Sequence, residues 1–546
     1  MTIARRARRQ LATGAAVVGA ATALTLAGSL SLPARAAAAR TLYVDCSAAA
    51  GSGTLAHPFD TLQAASAPAL GPGDRLLLRR GTACKGMLAP RGNGAAGEPI
   101  TIGAYGLAGA LPPRIDGGGT VEAAIGLANM SYVTVDGLEL TNSGDAAGLH
   151  RGVYLTSSTG TMKGITLEHL TIHDVDGTSD VNTGKPGGGI VAWSLQPPGR
   201  FANLTIADDT ISDVSRQGII VDGTGSTTRP PATRAWAAAS TGLVVSGNNV
   251  QRVQGDGIVV MGTVGALVQQ NTVRRGNLAG FDFNDPVKEN CAAGIWAWNA
   301  NRTTIEHNEV SNMHYGPSTK AGALNGCDGE AFDVDSNQDG TVVQYNYSHD
   351  NDGGFVLLCT ADGTTTQDPH RSDVRYNLSV DDNSTFAAAP CEQTYKPSVN
   401  NLDGVRMYNN TIVAPTPRVT YELDEPAARK LLPYYGTFAF DDNLVYATAA
   451  AATESQHLFE CGSPCSHNLF FHVPPPATAT QSVTSDPEFV RVGARGTGLG
   501  VAASFKLRAG SPANGAGIAI PPSVPTTVAK NFFGAAIRKP PAIGFS

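Results

Sequence analysis

The sequence predicts an all-β solenoid, in which short strands stack coil upon coil around one continuous core. One observation is a repeated element of alternating apolar residues, followed by Asn or Asp and a further apolar residue. Copies begin at Leu204 (LTIADDTI), Thr303 (TTIEHNEV) and Val405 (VRMYNNTI). The anchor positions lie 39, 23, 37, 38, 31, 33 and 33 residues apart: Asp209, Asn248, Asn271, Asn308, Asn346, Asn377, Asn410 and Asn443. We expect these Asn to adopt left-handed backbone at bends and to bond their amides to the next coil.

A second apolar element alternates with the first along the chain. Copies begin at Gly188 (GGIVAWS), Asp256 (DGIVVMG), Ala293 (AGIWAWN), Glu330 (EAFDVDS) and Gly353 (GGFVLLC). Val, Ile and Tyr favour strands, whereas Gly and Asn favour bends, so each repeat contains two or three short strands. A single repeat cannot bury its apolar face alone. The main alternative is a β-propeller, but its blades need roughly 40–45 residues, which the 23-residue interval cannot supply.

The composition argues against several other classes of protein. Of the 546 residues, 16% are charged, well below the roughly 25% of an average globular protein. The chain contains 63 Gly, and 42% of its residues are hydrophobic, which is enough for a large core. The formal net charge is −7. A coiled coil, a helical bundle and a basic nucleic-acid binder therefore all fit poorly.

Residues 1–39 have the pattern of a cleaved export signal. Four arginines are followed by a mildly apolar stretch from Leu11 to Leu32, and then by small residues that end at Ala39. A membrane anchor is the alternative, because the stretch is nearly long enough to span a bilayer. Cleavage after Ala39 removes five Arg, so the mature charge becomes (39 − 5) − 46 = −12. We expect a soluble, secreted monomer that acts outside the cell, with neither nucleic-acid nor membrane partners.

The cysteines indicate an oxidising environment. All eight fall into pairs of near neighbours: Cys46/Cys84, Cys291/Cys327, Cys359/Cys391 and Cys461/Cys465. Sequential disulfide pairing is the simplest of the many connectivities that eight thiols allow. A zinc site is the alternative, but the sequence has no doubled CxxC spacing and no His clustered with the Cys.

Segments near both ends carry the motifs of one superfamily. HPFDTLQAA begins at His57, GPGDRLLLRRG at Gly71 and RAGSPANGAG at Arg508. In these motifs and in its repeats the chain resembles the right-handed parallel β-helix proteins of the pectate-lyase-like superfamily. The resemblance implies an all-β, right-handed parallel β-helix, a single-stranded solenoid of about ten coils with capping segments at both ends. The predicted division is an N-terminal cap with the first coils at 40–120, repeats with loop insertions at 121–480, and a C-terminal cap at 481–546.

Alignment of the second element predicts which of its side chains point outward. Strand residues alternate between the two faces of a sheet, and neighbouring coils lie about 4.8 Å apart. The predicted outward pairs on four successive coils are Val259/Met261, Trp296/Trp298, Asp333/Asp335 and Val356/Leu358. Two Trp and two Asp would thus lie side by side on the face that lines the substrate groove in the resembled superfamily. Flat aromatic rings beside carboxylates suit a sugar, through stacking and proton transfer.

The candidate catalytic residues are carboxylates on one strand and just before it. Asp333 and Asp335 have Cα atoms about 6.6 Å apart, which fits the roughly 6.5–9.5 Å carboxyl separation of inverting glycosidases. Asp328 and Glu330 approach the same place, and repulsion among four carboxylates would raise at least one pKa and supply a general acid. A Ca²⁺ site formed by Asp328, Asp333 and Asp335 is an equally good interpretation. An ordinary solvated turn is the third.

Loops and bends add further candidates for substrate binding. Asp282 and Asp285 lie in an insertion, and His349 enters the coil that follows Asp333. Such loops often carry binding groups over a rigid scaffold. Three arginines would bind an acidic sugar or act as the base of a lyase, although a surface role is the simpler interpretation: Arg371, Arg375 and Arg406.

These observations predict a secreted, carbohydrate-active enzyme that hydrolyses glycosidic bonds of an extracellular polysaccharide or oligosaccharide. Trp296 and Trp298 would hold sugar rings, and the carboxylate pair would act as acid and base without a cofactor. A Ca²⁺-dependent polysaccharide lyase or uronate epimerase is the first alternative. A non-catalytic carbohydrate-binding surface protein is the second. The acidic mature chain disfavours a polyanionic substrate unless Ca²⁺ intervenes.

Overall fold

Successive coils of the chain place equivalent short strands beside one another, and these strands pair in parallel. The computed structural model describes residues 38–144, 147–181, 183–195, 199–223, 239–278, 290–316, 328–360, 370–390, 402, 404–421, 438–449, 465–524 and 528–546. Within these ranges no helix is both long and apolar enough to cross a bilayer.

The described residues form 41 strands, one α-helix, α1 (Leu62–Ser66), and one 3₁₀ helix (Leu499–Phe505). The first strands are β1 (Thr41–Val44), β2 (Ala69–Leu70), β3 (Arg75–Arg79), β4 (Ala83–Lys85), β5 (Arg91–Gly92), β6 (Ile100–Tyr105), β7 (Arg114–Asp116), β8 (Ala123–Ala128), β9 (Val133–Asp136), β10 (Glu139–Asn142), β11 (Arg151–Ser157), β12 (Thr161–Glu168), β13 (Thr171–Val175) and β14 (Gly188–Ser194). The middle strands are β15 (Arg200–Ala207), β16 (Thr210–Val214), β17 (Gln217–Asp222), β18 (Ser240–Thr241), β19 (Val244–Ser246), β20 (Asn249–Val253), β21 (Ile258–Met261), β22 (Thr263–Val264), β23 (Leu267–Gln269), β24 (Thr272–Arg274), β25 (Ile295–Trp298), β26 (Thr304–Glu306), β27 (Glu309–Ser311) and β28 (Glu330–Val334). The last are β29 (Val342–Gln344), β30 (Tyr347–His349), β31 (Gly354–Thr360), β32 (Asp373–Arg375), β33 (Leu378–Val380), β34 (Phe386–Pro390), β35 (Arg406–Tyr408), β36 (Thr411–Ala414), β37 (Val419–Tyr421), β38 (Ala439–Asp441), β39 (Leu444–Ala447), β40 (Cys465–Ser466) and β41 (Leu469–Phe471).

These strands form three long sheets, and β2 pairs with β5 beside them. Sheet 1 has 16 strands, in the order β1-β3-β6-β9-β12-β15-β19-β23-β26-β29-β32-β35-β38-β40, with β18 and β22 attached at β15. Sheet 2 has 13 strands, in the order β4-β7-β10-β13-β16-β20-β24-β27-β30-β33-β36-β39-β41. Sheet 3 has ten strands, in the order β8-β11-β14-β17-β21-β25-β28-β31-β34-β37. A coil thus passes through the three sheets in turn, for example as β26, β27 and β28, and the result is the predicted parallel β-helix.

The core lies inside the coils. Ile258, Ile295 and Phe332 occupy equivalent inward positions on adjacent coils of sheet 3, and all three are fully buried. Inward side chains of all three sheets form one cluster that extends from Val44 to Val473. Each large apolar side chain buried in this way contributes about 1.5–3 kcal/mol. The core therefore supplies the main stabilisation, and it fixes which residues point outward.

An asparagine ladder runs along the bend between sheets 1 and 2. The Asn271 Nδ2 donates to the Asn308 Oδ1 at 3.0 Å. The same contact recurs at each predicted anchor from Asn248 to Asn443 and ends on Asn468. The predicted bonds from coil to coil are thus confirmed. They satisfy side-chain amides that the bend buries.

The ladder differs in two details from the one that the sequence predicts. The left-handed backbone belongs to the residue before each anchor and not to the Asn, as at Gln270 and Tyr345, both with φ of 56°. The first anchor is Asp209, whose Oδ1 accepts the Leu170 N–H at 2.8 Å. Burial raises the pKa of Asp209 to about 8, against the opposing effect of that bond. Asp209 is therefore mainly protonated at neutral pH.

The N-terminal residues close the first coil. The helix α1 packs Leu62 and Ala65 against the core. Its N-terminus is capped by Thr61, whose side chain accepts the Ala64 N–H at 3.2 Å.

The predicted disulfide Cys46–Cys84 is present, and its Cα atoms lie 5.3 Å apart. It joins β4 to the turn that follows β1. Cys291, Cys359 and Cys465 are disulfide-bonded as well. Their predicted partners lie outside the described residues: Cys327, Cys391 and Cys461.

The C-terminal segment covers the outer face of sheet 2. Phe489, Phe505 and Phe545 pack there on outward side chains such as Tyr347 and Leu444. The cluster reaches five successive strands, β30, β33, β36, β39 and β41. The segment predicted as a C-terminal cap thus lies along the side of these coils and leaves the outer face of sheet 3 to other contacts.

Candidate active site on sheet 3

The outer face of sheet 3 carries a band of aromatic and apolar side chains. Its members from β11 to β25 form one cluster, here called the aromatic wall: Tyr154, Val191, Trp193, Ile220, Val259, Met261, Trp296 and Trp298. The strand register places Val259 opposite Trp296 and Met261 opposite Trp298. Trp296 in turn lies opposite Asp333 on the next coil. The aromatic wall therefore ends at Asp333 on β28, in the register predicted for these three coils.

Asp333 and Asp335 bring oxygens of their carboxylates close together. One oxygen of each carboxylate lies within 4.8 Å of the other. Asp333 is 5% exposed, whereas Asp335 is half-buried, and the Asp335 Oδ1 accepts the Ser336 N–H. Carboxyl groups of retaining glycosidases are roughly 5–5.5 Å apart, and those of inverting enzymes roughly 6.5–9.5 Å. The close approach of these two oxygens is compatible with a retaining pair.

The residues at this point do not fit a Ca²⁺ site well. Among the described His, Cys, Asp and Glu side chains, the one that joins the two carboxylates within 4.8 Å is Cys359, whose sulfur lies 3.5 Å from the Asp333 Oδ1. Cys359 is disulfide-bonded, so it is no thiolate ligand. Ca²⁺ takes six to eight oxygen ligands, and Asp328, the third predicted ligand, is not a member of this group.

The coil after these carboxylates has a different register from the predicted one. Phe332 pairs with Val356, one residue later than the alignment of the repeats places it. Val356 and Leu358 therefore point into the core, so their predicted outward position is wrong. Leu357 lies opposite Asp333 instead. Since side chains alternate along a strand, an offset of one residue moves every side chain to the other face.

Glu330 and Asp328 lie at the start of β28, where the chain turns onto sheet 3. Glu330 is 2% exposed, and its charge is the main contribution, after burial, that raises the pKa of the Tyr315 hydroxyl. Gly329 has φ of 88°, and a Cβ there would lie 2.8 Å from the His314 carbonyl oxygen. The turn thus needs glycine, and it brings a second buried carboxylate to the same strand.

A buried ion pair orients Trp296. The indole N–H donates to the Asp256 Oδ1 at 2.9 Å, and the other oxygen of Asp256 accepts from Arg216 at 2.8 Å. Both members of the pair are 1% exposed. Asp256 also accepts the Ala293 N–H at 3.0 Å, so the pair fixes both the ring and the approach to its strand. The sequence signal for this contact is weak, because Arg216 lies 40 residues from Asp256.

Trp296 offers no open stacking surface in this structure. Its side chain is only 6% exposed, and the Lys185 Nζ lies 5.0 Å from the ring centroid. Trp298 is half-buried. Of the two Trp predicted to hold sugar rings, Trp298 is thus the better placed, and Trp296 packs within the aromatic wall.

His349 lies away from these carboxylates, on β30 in sheet 2. Its Nδ1 lies 2.7 Å from Asp350 and its Nε2 lies 3.2 Å from Glu309, and the side chain is 6% exposed. Burial opposes protonation, but these two carboxylates raise the pKa of His349 to about 9. The sequence predicts that His349 lies in the substrate site close to Asp333, and this prediction is wrong. It lies on sheet 2, whose outer face is covered here by the C-terminal segment.

The other candidates do not gather at this site. Asp282 and Asp285 lie outside the described residues. The three arginines lie on sheet 1 or beside it, and each is engaged elsewhere: Arg371 with Asp339, Arg375 with Asp373, and Arg406 with the Pro521 carbonyl.

Comparison with known proteins agrees with this architecture. A protein-family model described as a right-handed β-helix region matches residues 199–413. The fold is a right-handed parallel β-helix. Two crystal structures of the GH136 lacto-N-biosidase from Eubacterium ramulus, one native and one of the selenomethionine derivative, are similar to this chain. Each has a TM-score of 0.59 and 25% sequence identity, and covers 75% of this chain and 68% of the enzyme.

A sequence relative carries the same enzyme name. The lacto-N-biosidase of Bifidobacterium longum subsp. longum is 28% identical over 422 residues, which are 63% of this chain. The match covers 25% of that protein, so the chain spans about a quarter of the length of this relative.

Proposed function

We propose that this protein is a glycoside hydrolase that acts on an oligosaccharide through Asp333 on β28 and Asp335 directly after it. The observation that carries the proposal is the juxtaposition of Asp333 and Asp335, within 4.8 Å of each other, at the end of the aromatic wall. The similarity to lacto-N-biosidases in sequence and in structure supports the same reaction class.

The two carboxylates would divide the chemistry according to their surroundings. Asp335 is half-buried and is the more exposed of the two carboxylates. It would attack the anomeric carbon and form a glycosyl-enzyme intermediate. Asp333 is buried beside Trp296 and Leu357. It would donate its proton to the leaving oxygen and then act as base toward the incoming water, so that the anomeric configuration is retained.

The first substrate to test is an oligosaccharide with a terminal lacto-N-biose unit, the group named in the similar enzymes. Trp298 would stack on one ring of this disaccharide from the coil before the carboxylates. We also propose that residues 1–39 are a cleaved export signal, which would place the reaction outside the cell.

The test is product analysis with single-residue variants. The wild type should release a disaccharide and a new reducing end, with retained configuration by NMR and no ultraviolet-absorbing unsaturated sugar. Asp333→Asn and Asp335→Asn should each lower kcat at least a hundredfold, since one positioned acid or base contributes about 10²–10⁴. Asp60→Asn, a change of the same kind outside sheet 3, serves as the control.

Other products would contradict the proposal in recognisable ways. Unsaturated product that disappears on chelation would indicate the Ca²⁺-dependent lyase. Inverted configuration would contradict the retaining pair, and full activity in both Asn variants would move the chemistry to other residues. Binding of the sugar without any cleavage would leave the protein as a carbohydrate-binding module.

A further inference from the structure

A second cleft lies in the C-terminal segment, which packs on sheet 2 and not on the face that carries the aromatic wall. Residues between 506 and 514 and between 531 and 546 line it, and its volume is about 450 Å³. Sites for small ligands usually measure about 300–1,000 Å³. The cleft therefore has the size of a site for one or two sugar rings.

The lining of this cleft is strongly positive although the chain as a whole is negative. Lys506, Arg508 and Arg538 line it, and it contains no Asp or Glu side chain. Ser546 contributes to the same lining. None of the three cations forms an ion pair within the part of the chain that the structure describes. With a net charge of −7 for the protein, such a local excess concentrates anions at this cleft.

The walls of the cleft are held in place by bonds within the segment. The Asn514 Nδ2 donates to the Arg508 carbonyl at 2.8 Å, and the Asn531 Oδ1 accepts the Phe533 N–H at 3.1 Å. The Lys506 ammonium lies 4.2 Å from the ring centroid of Phe533. The Arg508 guanidinium donates to the Val490 carbonyl at 3.1 Å. Lys506 and Arg508 thus each have one contact within the segment that orients the charged group, which lowers the entropy lost on binding.

The same cleft offers groups that suit a sugar ring. Asn514 and Asn531 each keep one side-chain amide atom, Oδ1 and Nδ2 respectively, without a partner among the described residues. These atoms complement hydroxyl groups, one as an acceptor and one as a donor. Ile537 and Ala542 add apolar surface for the C–H face of a ring. Arginine guanidinium groups bind carboxylate and phosphate through paired N–H donors.

We propose that this cleft binds an anionic sugar, a ring that carries a carboxylate or a phosphate group. Lys506, Arg508 and Arg538 receive the anion, while Asn514 and Asn531 contact the ring hydroxyls. The site serves to hold the protein on an acidic glycan, and it does not depend on the hydrolase activity proposed for sheet 3.

The experiment measures binding by ligand-observed NMR on the full chain with four probes. Glucuronate and glucose 6-phosphate represent the two anions, glucose is the neutral ring, and inorganic phosphate is the anion without a ring. Both anionic sugars should bind, glucose should not, and inorganic phosphate should bind more weakly. Arg508→Ala/Arg538→Ala should weaken binding about tenfold or more, because charge-assisted bonds are the strong ones.

The matched control is Lys530→Ala/Lys539→Ala, which removes two positive charges from the same segment but from outside the cleft. It should bind as the wild type does. Equal loss in both double variants would show a general charge effect and overturn the site. Failure of both anionic sugars to bind the wild type would overturn it as well. Inorganic phosphate that binds as tightly as the sugars would refute the sugar assignment, and the difference between the two anionic sugars identifies the anion preferred.

Discussion

At the scale of single residues, Trp296 depends on a buried charge for its orientation. Asp256 accepts the indole N–H at 2.9 Å and is paired with Arg216 where neither side chain meets water. A buried ion pair costs free energy to desolvate and is destabilising when one of its partners is lost. The indole N–H is one of the bonds that satisfy Asp256, so the ring and the ion pair stabilise each other.

Trp296→Phe should therefore lower the free energy of unfolding by about 1–3 kcal/mol, because a buried charged acceptor loses a donor. Denaturation in guanidinium chloride, followed by tryptophan fluorescence and circular dichroism, measures this loss. The matched control is Trp298→Phe on the same strand, since Trp298 is half-buried and donates no hydrogen bond to a described residue. Equal losses in the two variants would contradict the role of Asp256.

At the scale of elements, one anchor of the asparagine ladder is not an asparagine. Asp209 stands where the other anchors have Asn, and burial raises its pKa from an ordinary value near 3.8 to about 8. A carboxyl whose pKa is higher in the folded state stabilises the fold fully below the unfolded pKa, and this contribution is lost as the pH rises through the folded pKa. Between about pH 4 and pH 8 the Asp209 carboxyl thus becomes steadily less favourable to the folded state.

Asp209→Asn should raise the free energy of unfolding by about 1–3 kcal/mol at pH 8, since a neutral amide needs no proton and can donate to Asn248 as the other anchors do. At pH 4 the two proteins should differ little. Equilibrium denaturation at both pH values checks this. The reverse substitution at another anchor, Asn308→Asp, should lower the free energy of unfolding at pH 8. An increase in the stability of this variant at pH 8 would contradict the proposed role of the ladder.

The sequence predicts these elements well, because their signals are local. The anchors from Asn248 to Asn443 and the outward Trp296 both follow from short alternating patterns that each repeat carries. The register of β31 could not be predicted, since an offset of one residue leaves the pattern of GGFVLLC apolar on both faces. The contact between Arg216 and Asp256 could not be predicted either, because it joins side chains from separate coils.

At the scale of the whole molecule, a set of buried polar contacts fastens the C-terminal segment to sheet 2. The Glu309 carboxylate accepts the Gly498 N–H at 2.8 Å and pairs with His349 at 3.2 Å. The Tyr347 ring stacks on His349 with centroids 4.5 Å apart, and its hydroxyl donates to the Gly496 carbonyl at 3.1 Å. His349 thus lies between two carboxylates at the point where the segment attaches.

The charge on His349 makes this attachment sensitive to pH. Although burial opposes protonation, Asp350 and Glu309 raise the pKa of His349 to about 9. Since the folded pKa is above the unfolded value near 6.5, the stabilisation is complete below pH 6.5 and is lost as the pH rises through 9.

Between pH 7 and pH 9.5, hydrogen exchange of residues 488–507 should therefore become faster than the pH dependence of exchange itself explains. His349→Gln should abolish this extra increase. His173→Gln is the matched control, because His173 pairs with Asp174 and Glu139 in the same way on an earlier coil, and an equal effect there would contradict the role of His349.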